Sequence, residues 1–181
     1  MHYHPLHLYR YQVCKQADTI LANVLYPEYS STECIENNYN YYKKITTHDS
    51  SLSKCIFAII ATRLGYIDEA YDFFTSSLST DLDDTHGNTK DGIHTANMGG
   101  SYLCILYGFL GLRVYSMNLY LAPHLPHEWK ELSLKIHYQG REIKISIDKS
   151  SLKLDLIKGD AIEFYLYEKK TLLKGNETII L

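Results

Sequence analysis

The sequence predicts an α+β protein of two modules, with helices first and antiparallel strands second. Apolar residues recur at helical spacing through residues 17–110, and from about residue 132 onward they alternate with polar residues as in half-buried strands. The chain contains no low-complexity tract and no short repeat. We expect a helical module over residues 1–112 and a β-rich module over residues 113–181, with the change between about Arg113 and Pro123.

The helical module contains five segments with the apolar spacing of a helix: residues 17–25, 33–43, 52–60, 67–78 and 93–110. Ser31 or Thr32 can cap the second segment, and Gly65 suits the C-terminal end of the third. The fifth segment is apolar almost all round, which predicts a helix buried on most sides.

The second module shows the pattern of an antiparallel sheet with one apolar face. Apolar residues alternate on both sides of Gln139-Gly140, which predicts a hairpin turn there. They alternate again over residues 152–156 and 162–166, around the turn residues Lys158-Gly159-Asp160.

Composition excludes several classes of function. The net charge of −3, with both signs interspersed, gives no electrostatic reason to bind nucleic acid or an anionic membrane. Four widely spaced cysteines, without a Cys-x-x-Cys pair, favour a reduced, cytoplasmic protein. There is no secretion signal and no apolar run of the roughly 18 residues that a membrane span needs.

Histidine and tyrosine are two residue types whose spacing or number suggests a binding function. His2, His4 and His7 are close in sequence, but Pro5 interrupts them and no cysteine or carboxylate completes a ligand set, so we expect no metal and no cofactor. The seventeen tyrosines suit partly buried helix faces, and equally suit stacking against sugars.

The segment 87–102, GNTKDGIHTANMGGSY, carries the most information about function. Asp91 and His94 would share a face of a helix that begins near Thr89. Gly99 and Gly100 would each cost a helix about 1 kcal/mol, which suggests that a backbone or a ligand approaches closely. The alternative is a capped helix whose glycines serve only helix packing.

Two other polar segments precede helical patterns. Ser50 and Ser51 follow His48-Asp49, where hydroxyls and free amides can bind an anion, or where Asp49 or Ser50 can simply cap the helix. Lys15-Gln16 can donate hydrogen bonds to sugar hydroxyls, or can be a solvated helix start.

Taken in order, these segments resemble glycoside hydrolase family 65, the maltose, trehalose and kojibiose phosphorylases. The matching stretches are RYQVCKQAD at 10–18, TTHDSSLS at 46–53, NTKDGIH at 88–94 with MGGSY at 98–102, and GFLGLRV at 108–114. The resemblance covers nearly the whole chain and is weakest after about Lys149.

The resemblance implies the last helices of an (α/α)6 barrel followed by a C-terminal antiparallel β-sandwich. It implies an inverting phosphorylase that cleaves an α-glucosyl disaccharide with inorganic phosphate, its co-substrate, to give β-glucose 1-phosphate. The family's general acid, a glutamate, lies upstream of the segment where this chain starts, so we expect no catalytic residue here. The chain would then need the other part of the barrel or self-association.

The resemblance also assigns residues. It places phosphate at Ser50, Ser51 and His94, with the backbone of Gly99 and Gly100 next to the same pocket, and it places the sugar at Lys15 and Gln16. Supporting positions are His48, Asp49 and Asp91. Two alternatives stay open: a non-catalytic carbohydrate-binding or interaction module, and a hydrolase relative, which would need a carboxylate base.

Overall fold

The structure, a computed structural model, describes residues 4–8, 10–84, 87 and 89–180. The chain divides into two compact units, a helical unit over Met1–Gly108 and a β unit over Phe109–Leu181. The described residues therefore show the α+β order that the sequence predicts, helices first and strands second.

The described α-helices of the helical unit are α1 Pro5–Leu8, α2 Asp18–Leu25, α3 Thr32–Ile45, α4 Ser53–Arg63, α5 Ile67–Leu78 and α6 Thr95–Leu103. Single 3-10 turns lie at Pro27–Tyr29 and Thr89–Asp91, and α6 continues as a π-helix over Cys104–Phe109. No helix in the described ranges combines the length and apolar composition needed to cross a membrane.

Local signals explain the start of α3 and the end of α4. Ser31 is the N-cap of α3, and its side chain accepts a hydrogen bond from the N–H of Cys34 at 3.2 Å. Gly65, with φ of +82°, ends α4 in the left-handed conformation. The alternative in which Asp49 or Ser50 caps α4 is wrong, because Leu52 takes the N-cap position. Ser50 accepts the N–H of Ser53 through its carbonyl instead, at 3.0 Å.

Helix α4 is the centre of the helical unit. All its residues from Ser53 to Thr62 are buried except Lys54, which is partly exposed. It packs against α2, α3, α5 and α6. A helix enclosed on nearly every side needs apolar residues all round rather than a single stripe, as its sequence SKCIFAIIATR shows.

Helices α4 and α6 run parallel. Near their starts, a Cβ added at Gly100 would lie 2.5 Å from the sulfur of Cys55. Further along, a Cβ at Gly108 would lie 3.6 Å from the Cα of Ile59. From Gly100 to Gly108 the contacted residue of α4 moves from Cys55 to Ile59, so the two helices point the same way. The segments before α4 and α6 therefore lie at the same end of the unit.

Helix α2 runs parallel to them. Arg63, at the end of α4, donates to the carbonyl of Asn23, near the end of α2, at 2.9 Å. Before both helices, Cys14 and Thr46 form a parallel bridge. The three segments that precede α2, α4 and α6, residues 14–17, 46–52 and 89–94, therefore collect at one end of the helical unit, here named the loop end.

Helix α6 departs from the prediction that it is buried on most sides. Its buried residues are Asn97, Gly100 and Ser101. Tyr102 is 59% exposed and Met98 is 36% exposed. The apolar side chains of this helix therefore lie partly in the interior and partly on the surface of the chain.

The strands of the β unit are β1 Arg113–Tyr115, β2 Asn118–Leu121, β3 Glu131–Tyr138, β4 Arg141–Asp148, β5 Ser151–Lys158, β6 Ile162–Leu166, β7 Lys169–Leu173 and β8 Asn176–Ile180. They form two four-stranded sheets with orders β1-β2-β6-β7 and β3-β4-β5-β8. Strands β2 and β6 pair in parallel and the other pairs are antiparallel. The β module is thus two sheets rather than one.

The alternating residues form the core of the β unit. Ile145 and Leu154, paired across β4 and β5, are each 1% exposed. The predicted turn is confirmed, since Gln139 and Gly140 have φ values of 49° and 77°, the signature of a type I′ hairpin. Three tyrosines, from β1, β2 and β6, stack on one another with centroids 4.1 and 4.6 Å apart: Tyr115, Tyr120 and Tyr165.

Truncating the β core tests its contribution to stability. Ile145→Ala should lower the free energy of unfolding by about 2–5 kcal/mol, because it leaves a cavity in the sheet core. Ile157→Ala, at a position 52% exposed on β5, should change it by less than about 0.5 kcal/mol. Urea unfolding followed by the fluorescence of Trp129, the only tryptophan, reports on this unit. Equal effects of both substitutions would contradict the assignment of the core.

Candidate functional site

The loop end collects polar segments from three places in the sequence. Lys15-Gln16 precede α2, His48 to Ser51 precede α4, and Asp91 and His94 precede α6. The bridge between Cys14 and Thr46 joins the first two segments through hydrogen bonds of 2.9 and 2.8 Å. Because helices leave unpaired N–H groups and a partial positive charge at their starts, three parallel starts make this end attractive to an anion.

The first segment borders an open depression of about 410 Å³, lined by Cys14, Lys15, Gln16, Asp18, Thr19 and Tyr42. The side-chain amide of Gln16 donates to Asp18 at 2.8 Å, and Lys15 is exposed. The depression therefore offers an ammonium group, an amide and a carboxylate within a small volume. This mixture of donors and acceptors suits sugar hydroxyls.

His48 is held by packing. Its backbone is in the left-handed region with φ of 54°, and its Nδ1 lies 2.9 Å from the hydroxyl of Ser53. The ring packs edge-on against Phe57, at 4.8 Å between centroids, and against Phe73 at 5.4 Å. Burial lowers the pKa of His48, and the charge of Lys54 lowers it further. His48 is therefore a neutral ring packed among aromatic side chains, and this packing fixes the conformation of the loop before α4.

Ser50 and Ser51 are half-buried at the start of α4. The hydroxyl of Ser50 accepts the N–H of Leu52 at 3.4 Å, while α4 has no side-chain cap at its N-cap residue. Asp49, beside them, is exposed. The two hydroxyls thus lie beside the first turn of α4, where an anion would be stabilised by the start of the helix.

His94 is held by Asp81, a residue that the sequence motifs do not include. Its Nδ1 lies 2.5 Å from Oδ1 of Asp81, and its backbone N–H donates to Oδ2 at 2.9 Å. The hydrogen bond from the ring, followed by the one from the backbone, lowers the pKa of Asp81. His94 is therefore anchored at both its side chain and its main chain.

The expectation that Asp91 shares a helix face with His94 rests on a helix that does not form. Residues Thr89–Asp91 make a single 3-10 turn, and α6 begins only at Thr95. Asp91 is exposed on that turn, and Asp81 makes the carboxylate contact to the ring. Asn88, the first residue of the matched motif, lies outside the described residues.

The paired glycines have different surroundings. A Cβ at Gly100 would lie 2.5 Å from the sulfur of Cys55, so this glycine has a packing reason. A Cβ at Gly99 would meet no atom within 4 Å, and Gly99 is exposed. The helix-packing interpretation thus accounts for Gly100, whereas no described contact requires a glycine at position 99.

A buried polar cluster fixes α6 against α5. Asn97 is fully buried, its amide donates to the carbonyl of Ser77 at 2.7 Å, and its Oδ1 accepts from the hydroxyl of Ser77 at 2.7 Å. Ser101 lies 3.0 Å from the same hydroxyl. Sequence reasoning missed this cluster, because single Ser and Asn residues carry no spacing signal.

The direct approach of Ser50 or Ser51 to His94 stays a prediction.

Comparison with known proteins identifies the family of the chain. Residues 1–103 match the glycosyl hydrolase family 65 central catalytic domain, and residues 112–173 match the C-terminal domain of the same family. The chain belongs to glycosyl hydrolase family 65. The family resemblance and the barrel-plus-sandwich fold class that it implies are thereby confirmed.

Relatives in this family are disaccharide phosphorylases, whose co-substrate is phosphate. The chain is 50% identical over 179 residues to an α,α-trehalose phosphorylase of Geobacillus stearothermophilus, covering 99% of this chain and 23% of that protein. It is 34% identical to a maltose phosphorylase of Bacillus subtilis, covering 89% of this chain and 21% of that protein. The chain thus spans about a quarter of the length of these relatives.

A solved structure from the human microbiome, provisionally named a kojibiose phosphorylase, shares the fold. It superposes with a TM-score of 0.93 at 32% identity, over 99% of this chain and 27% of the other. Within the described residues, no group of three or more His, Cys, Asp or Glu side chains could hold a metal ion. His2 lies outside those residues.

The two glycines provide a matched pair of substitutions. Gly99→Ala should stabilise the chain by about 0.5–1 kcal/mol, because alanine favours the helix and nothing obstructs its methyl group. Gly100→Ala should destabilise it through the clash with Cys55, and Cys55→Ala in the same chain should restore part of the loss. Thermal unfolding followed by helical circular dichroism measures both. A loss of stability in Gly99→Ala would contradict the open surroundings of this residue.

His48 should make the helical unit sensitive to acid. Because its pKa is lowered in the folded state, the unfolded chain takes up the proton first as pH falls below 6.5. The stability is thus complete above that value and is lost as pH falls through the folded pKa. His48→Asn, which tolerates the positive φ, should lose less stability than the natural chain between about pH 7.5 and about pH 5.5.

The measurement is the unfolding midpoint of the natural chain and of the variant at both pH values. A His48→Asn curve parallel to the natural one would show that this ring does not titrate with unfolding.

Proposed function

We propose that this chain forms the phosphate-binding surface and part of the sugar-binding surface of an inverting phosphorylase acting on an α-glucosyl disaccharide. A phosphate oxygen attacks the anomeric carbon from the face opposite the leaving group. The glycosidic C–O bond breaks, and the leaving oxygen takes a proton from a general acid. The products are β-glucose 1-phosphate and the released sugar.

The observation that carries this proposal is the convergence of three helix starts at the loop end. An inorganic phosphate of charge near −2 needs several donors, because one hydroxyl or one imidazole cannot offset the cost of removing it from water. Ser50, Ser51 and His94 precede two parallel helices whose N-termini point the same way. Gly99, without a neighbour in the Cβ direction, leaves room for a ligand beside α6.

The sugar side of the proposal rests on the depression beside Lys15 and Gln16. Its polar lining can bind glucose hydroxyls, and the bridge between Cys14 and Thr46 links it to the segment that carries the serines. A disaccharide and a phosphate must meet at one anomeric carbon, so their binding residues have to lie in adjacent loops. The loop end satisfies this requirement.

We assign the general acid to the part of a longer polypeptide that this chain does not include. The relatives are about four times as long as the region that they share with it. Protonation of the leaving group by a general acid typically contributes about 10²–10⁴-fold to the rate. The 181-residue chain alone should therefore release no glucose 1-phosphate.

Four free cysteines, two of them buried, accord with a cytoplasmic enzyme.

Among the candidate substrates, α,α-trehalose comes first. Two trehalose phosphorylases are 50% and 45% identical to the chain, whereas the maltose and kojibiose phosphorylases compared are 34–37% identical. The acceptor sugar is contacted mainly by loops beyond this chain, so the ranking rests on overall similarity.

A chimera tests the proposal. This chain replaces the matching region of the Geobacillus relative, and the purified chimera is given trehalose with and without inorganic phosphate. We expect phosphate-dependent release of the β anomer of glucose 1-phosphate, identified by proton NMR. The same replacement in the Thermoanaerobacter brockii relative, 45% identical over 98% of this chain, serves as a second scaffold.

Two sets of substitutions in the chimera separate the sites. His94→Ala should raise KM for phosphate by about tenfold or more and leave KM for trehalose nearly unchanged, because it removes a charge-assisted hydrogen bond to the anion. Lys15→Ala or Gln16→Ala should do the reverse. Lys44→Ala, an exposed lysine on α3, is the matched control and should change neither.

Three outcomes would contradict the proposal. Hydrolysis of trehalose without phosphate would favour the hydrolase alternative. An inactive but folded chimera on both scaffolds would favour the non-catalytic binding module. Equal effects of His94→Ala on both KM values would mean that this residue supports the structure rather than the phosphate.

A further inference from the structure

Asp81 lies outside every motif of the sequence, in the turns that follow α5, thirteen residues before His94. Its two carboxylate oxygens are both used on the same residue: Oδ1 on the ring Nδ1 of His94 at 2.5 Å, and Oδ2 on the backbone N–H at 2.9 Å. The side chain of Asp81 is only 9% exposed. A two-point contact of this kind sets both the position and the rotation of an imidazole.

The contact also determines which ring nitrogen carries a proton. An ionised carboxylate only accepts hydrogen bonds, so the nitrogen that faces it must donate. The hydrogen bonds from His94 lower the pKa of Asp81, which keeps the carboxylate ionised at neutral pH. Nδ1 of His94 is therefore the protonated nitrogen, and Nε2 is the nitrogen directed to other partners.

The surrounding structure holds Asp81 in place. The hydroxyl of Thr89 donates to the carbonyl of Asp81 at 3.4 Å, and its N–H donates to Asp84 at 2.9 Å. Below the turn, the buried pair of Ser77 and Asn97 fixes the end of α5 to the first turns of α6. The carboxylate thus comes from a rigid support, as a positioning residue requires.

We propose that Asp81 is the positioning residue of the phosphate site: it keeps Nδ1 of His94 protonated and so assigns Nε2 to the phosphate. The phosphate half of this statement rests on the proposed function, whereas the assignment of the ring protons does not. In the imidazolium form Nε2 donates to a phosphate oxygen, and in the neutral form it accepts from the P–OH group. Both states serve the same ligand without rotation of the ring.

The experiment is ¹⁵N NMR of the whole 181-residue chain with labelled histidine. The His94→Gln variant assigns the two ring signals of His94. In the natural chain the Nδ1 signal at neutral pH should be that of a nitrogen that carries a proton. Asp81→Ala should shift the neutral ring toward the Nε2–H form that unrestrained histidine prefers. Asp83→Ala, an exposed carboxylate in the same turns, should leave both signals unchanged.

Inorganic phosphate is then titrated into each variant. In the natural chain and in Asp83→Ala it should move the Nε2 signal, and in Asp81→Ala it should do so with at least about tenfold weaker affinity. In the chimera, Asp81→Ala should raise KM for phosphate by a similar factor and leave KM for trehalose nearly unchanged. A residue with a purely structural role would not raise KM for phosphate while leaving KM for trehalose unchanged.

Two results decide against the inference, and they are distinguishable. An unprotonated Nδ1 in the natural chain, or the same signals in Asp81→Ala as in the control, would overturn the positioning role without any variant having to be active. A protonated Nδ1 with no response of Nε2 to phosphate would refute the phosphate assignment, and with it that part of the proposed function. The pairing of Asp81 and His94 would then be structural only.

Discussion

The arrangement of the loop end depends on how closely α6 packs against α4. Gly100 allows that approach, because any side chain there would meet the sulfur of Cys55. Since α4 is buried along its length, it cannot move aside to admit a larger residue. This contact holds the two parallel helices side by side, and with them the segments that precede their first turns. The loop end, built from three distant parts of the sequence, therefore depends on one missing methyl group.

Buried polar side chains then fix the rotation of α6 about its own axis. The cluster of Ser77, Asn97 and Ser101 satisfies its own hydrogen bonds inside the contact between α5 and α6. Such a cluster allows one rotation of α6 about its axis, because other rotations would leave a fully buried amide without partners. The rotation is what brings the N-cap residue His94 to Asp81. Apolar packing alone would tolerate a range of rotations.

Much of the fold could be predicted, because helical and strand periodicity survive in a single sequence. The segment 67–78 and the hairpin at Gln139-Gly140 lie where their patterns placed them. The division into two sheets was not predictable, since the parallel pairing of β2 with β6 joins residues about 45 positions apart. The resemblance identified the family, and it assigned functions to the loops before α2, α4 and α6. It could not identify Asp81, because a carboxylate reaches His94 only after α5 and α6 have packed.

The π-helix at Cys104–Phe109 keeps the continuation of α6 in contact with α4. Gly100, Cys104 and Gly108 all contact α4, at a spacing of four residues. Four residues of an α-helix turn about 40° beyond a full revolution, so an α-helical continuation would carry Gly108 away from its neighbour. The wider π-turn corrects that drift within a few residues. The contact between the two helices is thus maintained through residue 108, and α6 has no need to tilt away from α4 at its start.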